Sequence, residues 1–330
     1  MKMIMRKTLV LFCATIMLIG TLVPVDIVCA ADTAVKSTDW MAGVSGDTKL
    51  SSVSIPGTHD SSARYVFPSL IMQCQDTSIA TQMKNGFRYF DIRLALDEKD
   101  GNATLKLRHN FANCRETASC FSDNMQFADV VKDAYKFLDA HPTETLIFCV
   151  KAENSKDDVA TIQSLLDEQI DANPSYWYTQ NVIPNMDEVR GKIVLASRME
   201  DVNQVGGSKN GLSFLWENQN NKEVADLAFT QSMINDTETL WVQDRFKYNV
   251  EMKMDAMEET IENAQPGDDT FVLNFLSTAG SGFAGHPKKY AKIINQKLLD
   301  TKLSSKTSYG IIICDFGTQK IAEHIYQTNF

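Results

Sequence analysis

Short apolar runs, each ending in a titratable residue and followed by a stretch with helical spacing, recur along this chain. Val53 and Ile55 close a brief apolar stretch that breaks at Pro56-Gly57. Residues 87–94 alternate in part, and residues 104–109 alternate cleanly, as half-buried strands do. Strands are also expected at 145–150, 192–198, 240–244, 271–275 and 309–315. The runs at 145–150 and 271–275 are almost continuously apolar, which suits strands covered on both faces. Val130, Val131, Ala134, Phe137 and Leu138 predict a helix over 127–140, stopped by Pro142. Further helices are expected over 156–171, 251–264 and 287–299, the last opened by Pro287, with a short one at the end. Eight strands, mostly alternating with helices, predict one α/β domain: a distorted (β/α)8 barrel of the TIM type. Stretches 175–190 and 205–239 are irregular and read as excursions from the barrel. Residues 31–50, with Trp40 and Met41, read as a lead-in packed on it.

The first thirty residues stand apart. Lys2, Arg6 and Lys7 precede an apolar stretch from Leu9 to Val23, and Val28-Cys29-Ala30 has the small residues of a cleavage site. A signal peptide over 1–30 is expected, with a mature, secreted chain from Ala31. Cys29 leaves a lipoprotein signal as an alternative, although Asp26, Ile27 and Val28 do not suit one. Losing three cations and Asp26 takes the formal charge from −10 to −12. That balance argues against nucleic acid and against gripping an anionic membrane by charge alone. Five cysteines lie beyond the leader. Cys149 and Cys314 fall in apolar runs and read as buried thiols. Two of Cys74, Cys114 and Cys120 are expected to pair, Cys114 with Cys120 first, in an oxidising exterior. No CxxC or HExxH occurs, so no structural zinc site is expected.

Active sites of such barrels form at the C-terminal ends of the strands. Those ends carry His59-Asp60, Asp91 and Arg93, His109-Asn110, Lys151 and Glu153, Arg198, Asp244, Asn274 and Asp315. A lone strand-end carboxylate is commonly a cap or turn residue, but their convergence on one mouth asks for chemistry. Two imidazoles can serve as general base and general acid near neutral pH. A guanidinium between them can hold a phosphate and stabilise charge building on its oxygens. Aspartates behind the imidazoles would fix their tautomers and stabilise their cationic forms. Lys, Arg and Asp at the rim can hydrogen-bond a polyhydroxylated ring.

The ordered set Ser-Ile-Pro-Gly-Thr-His-Asp-Ser (54–61), Phe-Asp-Ile-Arg (90–93), Leu-Arg-His (107–109), Val-Lys-Ala-Glu (150–153), Arg-Gly-Lys-Ile-Val-Leu-Ala-Ser-Arg (190–198), Val-Gln-Asp-Arg-Phe-Lys (242–247), Val-Leu-Asn-Phe-Leu-Ser (272–277) and Ile-Ile-Cys-Asp-Phe (312–316) carries a resemblance. Together these segments resemble the bacterial, secreted, metal-independent phosphatidylinositol-specific phospholipases C. The resemblance implies that His59 takes the proton from the inositol 2-hydroxyl, which attacks phosphorus. Diacylglycerol leaves, protonated by His109, and inositol 1,2-cyclic phosphate remains. By the same resemblance Arg93 contacts the phosphate in place of the calcium of animal relatives, so no cofactor or metal is expected. It pairs Asp315 with His59, couples Asp60 to Arg93 and His109, and places Asp91 in that network. It assigns Lys151, Arg198 and Asp244 to the inositol hydroxyls. Phe246 stands where the family usually has a Tyr stacked on the ring, so the stacking face is kept and a hydroxyl lost.

The partner is then phosphatidylinositol in a membrane, with glycosylphosphatidylinositol-anchored proteins as an alternative, and a monomer is expected. An acidic protein must dock through apolar residues at the mouth. Phe67, Leu70 and Ile71 on one loop and Phe283 on a Gly-rich loop are the candidates, though Phe67 to Ile71 can equally be a core-facing helix. Two other readings stand beside this one. A glycerophosphodiester phosphodiesterase would need carboxylates around a metal where Arg93, Lys151 and Arg198 stand. A catalytically dead lipid-binding module would not need both His59 and His109.

Overall fold

The computed structural model describes residues 35–199, 209–282 and 285–330. The expected leader and Phe283 lie outside them. In chain order the strands are β1 (Ile55–Thr58), β2 (Tyr89–Lys99), β3 (Asn102–His109), β4 (Ala112–Asn113), β5 (Leu146–Ala152), β6 (Trp177–Tyr178), β7 (Ile193–Ser197), β8 (Leu212–Ser213), β9 (Thr230–Met233), β10 (Thr239–Gln243), β11 (Thr270–Phe275) and β12 (Ile311–Cys314). The helices are α1 (Ser69–Met72), α2 (Ile79–Lys84), α3 (Phe127–Ala140), α4 (Val159–Ala172), α5 (Met186–Val189), α6 (Val250–Asn263), α7 (Pro287–Asp300) and α8 (Gln319–Tyr326).

The sheet runs β6-β7-β5-β2-β1-β12-β11-β10-β9, with every pair parallel except β10–β9. This is a distorted, open TIM-type barrel, and its ladder does not close among the described residues. One expected stave is not a stave. Thr104–His109 belongs to β3, which pairs antiparallel with an overlong β2, Leu94 opposite Leu107. The stave that takes its place lies inside the supposed excursion. Leu212–Ser213 pairs parallel with Ala196–Ser197, and Trp177–Tyr178 fills the lower half of the same edge against Ile193–Val194. Two-residue strands carry too little sequence for a period to register. Trp177 of β6 is buried in the core.

β1, β7, β11 and β12 are buried along their full length, and isoleucine dominates β12. Gly57 leaves room for its neighbours. A Cβ there would stand 2.9 Å from the Tyr89 ring and 3.0 Å from Ile313. The lead-in seals the lower end. Trp40 stacks on Tyr326 at 5.3 Å and donates to the Gly86 carbonyl. Beneath it Arg88 and Glu144, both wholly buried, pair at 2.7 Å. Arg88 also donates to the carbonyls of Ser37 and Thr38, and Glu144 accepts from Met41 N. No described helix is long and apolar enough to cross a membrane.

Among the five described cysteines none is paired. The expected Cys114–Cys120 bond is absent because the two side chains face opposite ways. Cys114 is buried with its sulfur 3.4 Å from Ser62 Oγ, whereas Cys120 is exposed.

Candidate active site

Three sharp turns build the centre of the mouth. The residue just after each of His59, His109 and Asp315 has left-handed backbone: Asp60 at φ 40°, Asn110 at φ 51° and Phe316 at φ 50°. Such geometry costs a non-glycine residue about 1 kcal/mol or more and persists where surroundings fix it. It turns the chain back at once, so that the preceding side chain projects across the barrel end. His109 arrives differently from the other two. The β2–β3 hairpin rises past the barrel and returns, delivering His109 beside β2.

His59 and His109 meet edge to face, their ring centroids 6.1 Å apart. His59 Nδ1 lies 2.8 Å from Asp315 Oδ1. His109 Nδ1 lies 2.7 Å from the Met72 carbonyl, an acceptor, so this nitrogen carries the proton. The two Nε2 atoms face one oxygen: Asp60 Oδ2 is 3.3 Å from His59 and 3.2 Å from His109. Arg93 Nη1 is 3.1 Å from that same oxygen. Asp60 is wholly buried, and these contacts are electrostatic, because neither carboxylate oxygen makes a well-aligned hydrogen bond. Arg93 donates Nη2 to Asp91 Oδ2 at 3.0 Å and Nη1 to Glu153 Oε1 at 3.0 Å, and its Nη2 lies 3.0 Å from His59 Nε2.

The charges shift one another. Burial pushes His59 down, yet Asp315 and then Asp60 lift it to about 9, with Arg93 opposing. Burial raises the Asp60 carboxyl above its ordinary value, more than Arg93 and the two histidines lower it. Asp91 goes the other way. Burial pushes it up, but Arg93, His59 and the Asp60 backbone N–H hold it well below the carboxylate range. For Glu153, burial is likewise outweighed by Arg93 and Lys151, and the group falls to about 2.

A cavity of about 560 Å³ opens over this centre. Its polar lining includes Lys151, Glu153, Arg198, Asn218 and Asp244, with Phe246 beside them. Lys151 Nζ is 2.9 Å from Glu153 Oε2. Arg198 and Asp244 approach to 3.5 Å. The cavity's apolar lining includes Ile71, Met72, Cys74 and Phe111. Thus the catalytic and ring-binding candidates lie together. Phe67 and Leu70 stand outside on the rim, 45% and 70% exposed, while Ile71 is half-buried against the core.

In the sequence Glu153 has a place at a strand end but no role, and Trp216, Lys253 and Phe111 are not singled out. Glu153 orients Arg93, Lys151 and the Asn110 N–H at once. Trp216 lies under the Arg198 guanidinium at 3.5 Å and donates Nε1 to Asp244. Lys253, wholly buried, donates to Gln243, which seats the turn carrying Asp244. Phe111, 57% exposed, forms the lip next to His109. Glu153 was visible as part of Val-Lys-Ala-Glu; Trp216 sits in irregular sequence with no signal around it.

Among the described residues one trio could present metal ligands: His59, Asp60 and Cys74 place ligand atoms within 4.8 Å of one another. Arg93 already lies against the first two of these, and a guanidinium there repels a cation. Burial, with Asp315 and Asp60 nearby, also keeps the Cys74 thiol protonated, well above its ordinary value. The donor set therefore suits an anion beside Arg93 better than a metal ion.

Comparison with known proteins finds relatives of this chain. Residues 53–199 match the family model of the phosphatidylinositol-specific phospholipase C X domain. A 1-phosphatidylinositol phosphodiesterase of Staphylococcus aureus (strain Newman) is 29% identical over 305 residues, covering 87% of this chain and 91% of the relative. One from Listeria monocytogenes is 26% identical over 316 residues, covering 90% and 86%. Among solved structures, a variant of the phosphatidylinositol-specific phospholipase C of S. aureus superposes with a TM-score of 0.70 at 27% identity, covering 89% of this chain and 98% of its own. The L. monocytogenes enzyme gives 0.67 at 25% identity, covering 90% and 100%. An S. aureus structure concerned with modulation of that enzyme's membrane binding gives 0.71 at 27%, covering 89% and 98%.

Proposed function

This chain belongs to the bacterial phosphatidylinositol-specific phospholipase C family, and from that we propose that it cleaves phosphatidylinositol to diacylglycerol and inositol 1,2-cyclic phosphate by paired-imidazole catalysis without a metal. His59 accepts the 2-hydroxyl proton through Nε2, and Asp315 stabilises the imidazolium that forms. The oxygen attacks phosphorus, the bond to glycerol breaks, and His109 delivers its Nε2 proton to the leaving oxygen. Arg93 contacts a phosphate oxygen and offsets the charge gathering there. Asp60, between Arg93 and His109, keeps both cationic groups aimed at the phosphate, and Asp91 holds Arg93 from behind. Lys151, Arg198 and Asp244 bind ring hydroxyls, with Phe246 against the ring face. Water attacking the cyclic phosphate would use the two histidines in exchanged roles.

The observation that carries this reading is the convergence of both Nε2 atoms and the guanidinium on Asp60 Oδ2, all within 3.3 Å. That gives a base, an acid and an anion-stabilising cation around one point. We place the enzyme outside the cell after loss of residues 1–30. There it would act as a monomer that touches the bilayer through Phe67, Leu70 and Ile71, with Phe283 as a second contact. Glycosylphosphatidylinositol anchors are a candidate second substrate, tested by release of anchored proteins from intact cells. The roles are tested by His59→Ala and His109→Ala. Each should lower turnover of phosphatidylinositol by about 10²–10⁴-fold or more. Near-normal turnover in either would overturn the assignment.

A further inference from the structure

The His59–Asp315 pair spans two strands that are 256 positions apart in sequence. Something must hold the two strand ends in register, because a loose pair would let the imidazole turn. One side chain is bound to both ends. Gln75 is wholly buried just beyond α1. Its Nε2 donates to the His59 carbonyl at 2.8 Å and to the Cys314 carbonyl at 3.1 Å. Its Oε1 accepts from Gly317 N at 3.2 Å. The amide therefore grips the residue carrying the imidazole and the residues on both sides of the Asp315 turn. Both N–H donors of the amide are used, and its orientation is fixed: with N and O exchanged, an oxygen would face two carbonyls.

The same segment serves the other imidazole. Met72 O accepts from His109 Nδ1 at 2.7 Å, and Cys74 Sγ lies 3.8 Å from that nitrogen. The Cys74 carbonyl takes the N–H of Phe316, the left-handed residue after Asp315, at 2.7 Å. Four consecutive residues thus lie between the acid side and the base side of the centre.

We propose that Gln75 is a positioning residue for the reaction, holding the His59–Asp315 pair in register through the His59 and Cys314 carbonyls. The inference rests on the assignment of His59 as base, but its effect is separable from that assignment. Replacing the amide by an apolar side chain of similar length leaves the His59 carbonyl without a donor and the Cys314 carbonyl with the His59 N–H alone, so the two strand ends are held less firmly. The Asp315 contact lengthens, and the imidazole loses the charge that raises its proton affinity.

A second buried glutamine provides the control. Gln82 is equally buried and bonded to Thr58 Oγ1, Ser61 O and Thr77 O, but touches neither His59 nor Asp315. The experiment compares Gln75→Met with Gln82→Met by histidine NMR titration of the ligand-free protein, with His59→Ala identifying the signal. In the parent and in Gln82→Met the His59 midpoint should stand near 9. In Gln75→Met it should fall toward the ordinary 6.5, and turnover should drop about tenfold or more with KM little changed. Both variants should lose thermal stability. A Gln75→Met protein that loses stability like Gln82→Met but keeps the parent midpoint would overturn the proposal. If Gln75→Met does not fold, Gln75→Asn, one methylene short, takes its place with the same readout. The NMR midpoint tests Gln75 whether or not His59 is the base; activity of His59→Ala tests that role separately.

Discussion

Asp315→Asn isolates the charge behind the proposed base. The lift of His59 from 6.5 to about 9, achieved against burial and Arg93, corresponds to about 3 kcal/mol in favour of the imidazolium. Its side chain is 17% exposed, so little of this is lost to solvent screening. Asp315 leads Asp60 among the groups that raise the value; taking a little over half of the lift as its share gives about 2 kcal/mol. Asparagine keeps the shape and removes the charge, and the transition state carries the imidazolium. Turnover should therefore fall about 30-fold, and further if the asparagine amide donates to Nδ1 and places the ring proton on Nε2, where a base needs a lone pair. The sign of the pH effect is fixed as well. Catalysis needs His59 neutral and His109 protonated at once, so the limb of the parent kcat/KM profile that reports His59 should lie near pH 9; in Asp315→Asn that limb should move to lower pH, with a lower maximum. Stopped assays on dispersed phosphatidylinositol across pH 5–10 measure both. A His59 limb that does not move would refute the coupling of Asp315 to His59.

Two other perturbations test the floor and the rim. Glu144→Gln leaves Arg88 as a wholly buried cation without its partner and should cost about 3–5 kcal/mol of stability in urea unfolding, with a smaller loss meaning that the carbonyls of Ser37, Thr38 and Met83 suffice. Leu70→Ser removes an apolar contact worth about 1.5–3 kcal/mol if that side chain enters the bilayer. Partition onto phosphatidylinositol vesicles should weaken about tenfold or more while cleavage of a soluble short-chain substrate is unchanged; equal losses on both would place Leu70 in the fold rather than on the membrane.

The longer strands and helices were legible because they repeat a period over many residues. The helix expected over 127–140 is α3 itself, and those expected over 251–264 and 287–299 fall within one residue of α6 and α7. Thr104–His109 was legible as a strand but not as the arm of a hairpin, because alternation reports a half-buried face and says nothing of direction. The two-residue staves β6 and β8 were lost for the opposite reason: pairing with β7, not local sequence, makes them strands. At the mouth, residues next to strong motifs were readable, and residues brought in by long connections were not. Trp216 reaches Arg198 and Asp244 from irregular sequence, and Gln75 reaches Cys314 across 239 positions. The cysteine spacing misled because six residues of separation give no hint that one side chain turns inward and the other out.

The proposed chemistry has a direct signature in its first product. Phosphatidylinositol vesicles incubated with the protein in excess EDTA can be followed by phosphorus NMR. The five-membered cyclic phosphodiester should appear first, at an unchanged rate relative to buffer without chelator, and should be absent with His59→Ala. Inositol 1-phosphate formed directly, or activity abolished by EDTA and restored by calcium, would contradict the metal-free, paired-histidine account.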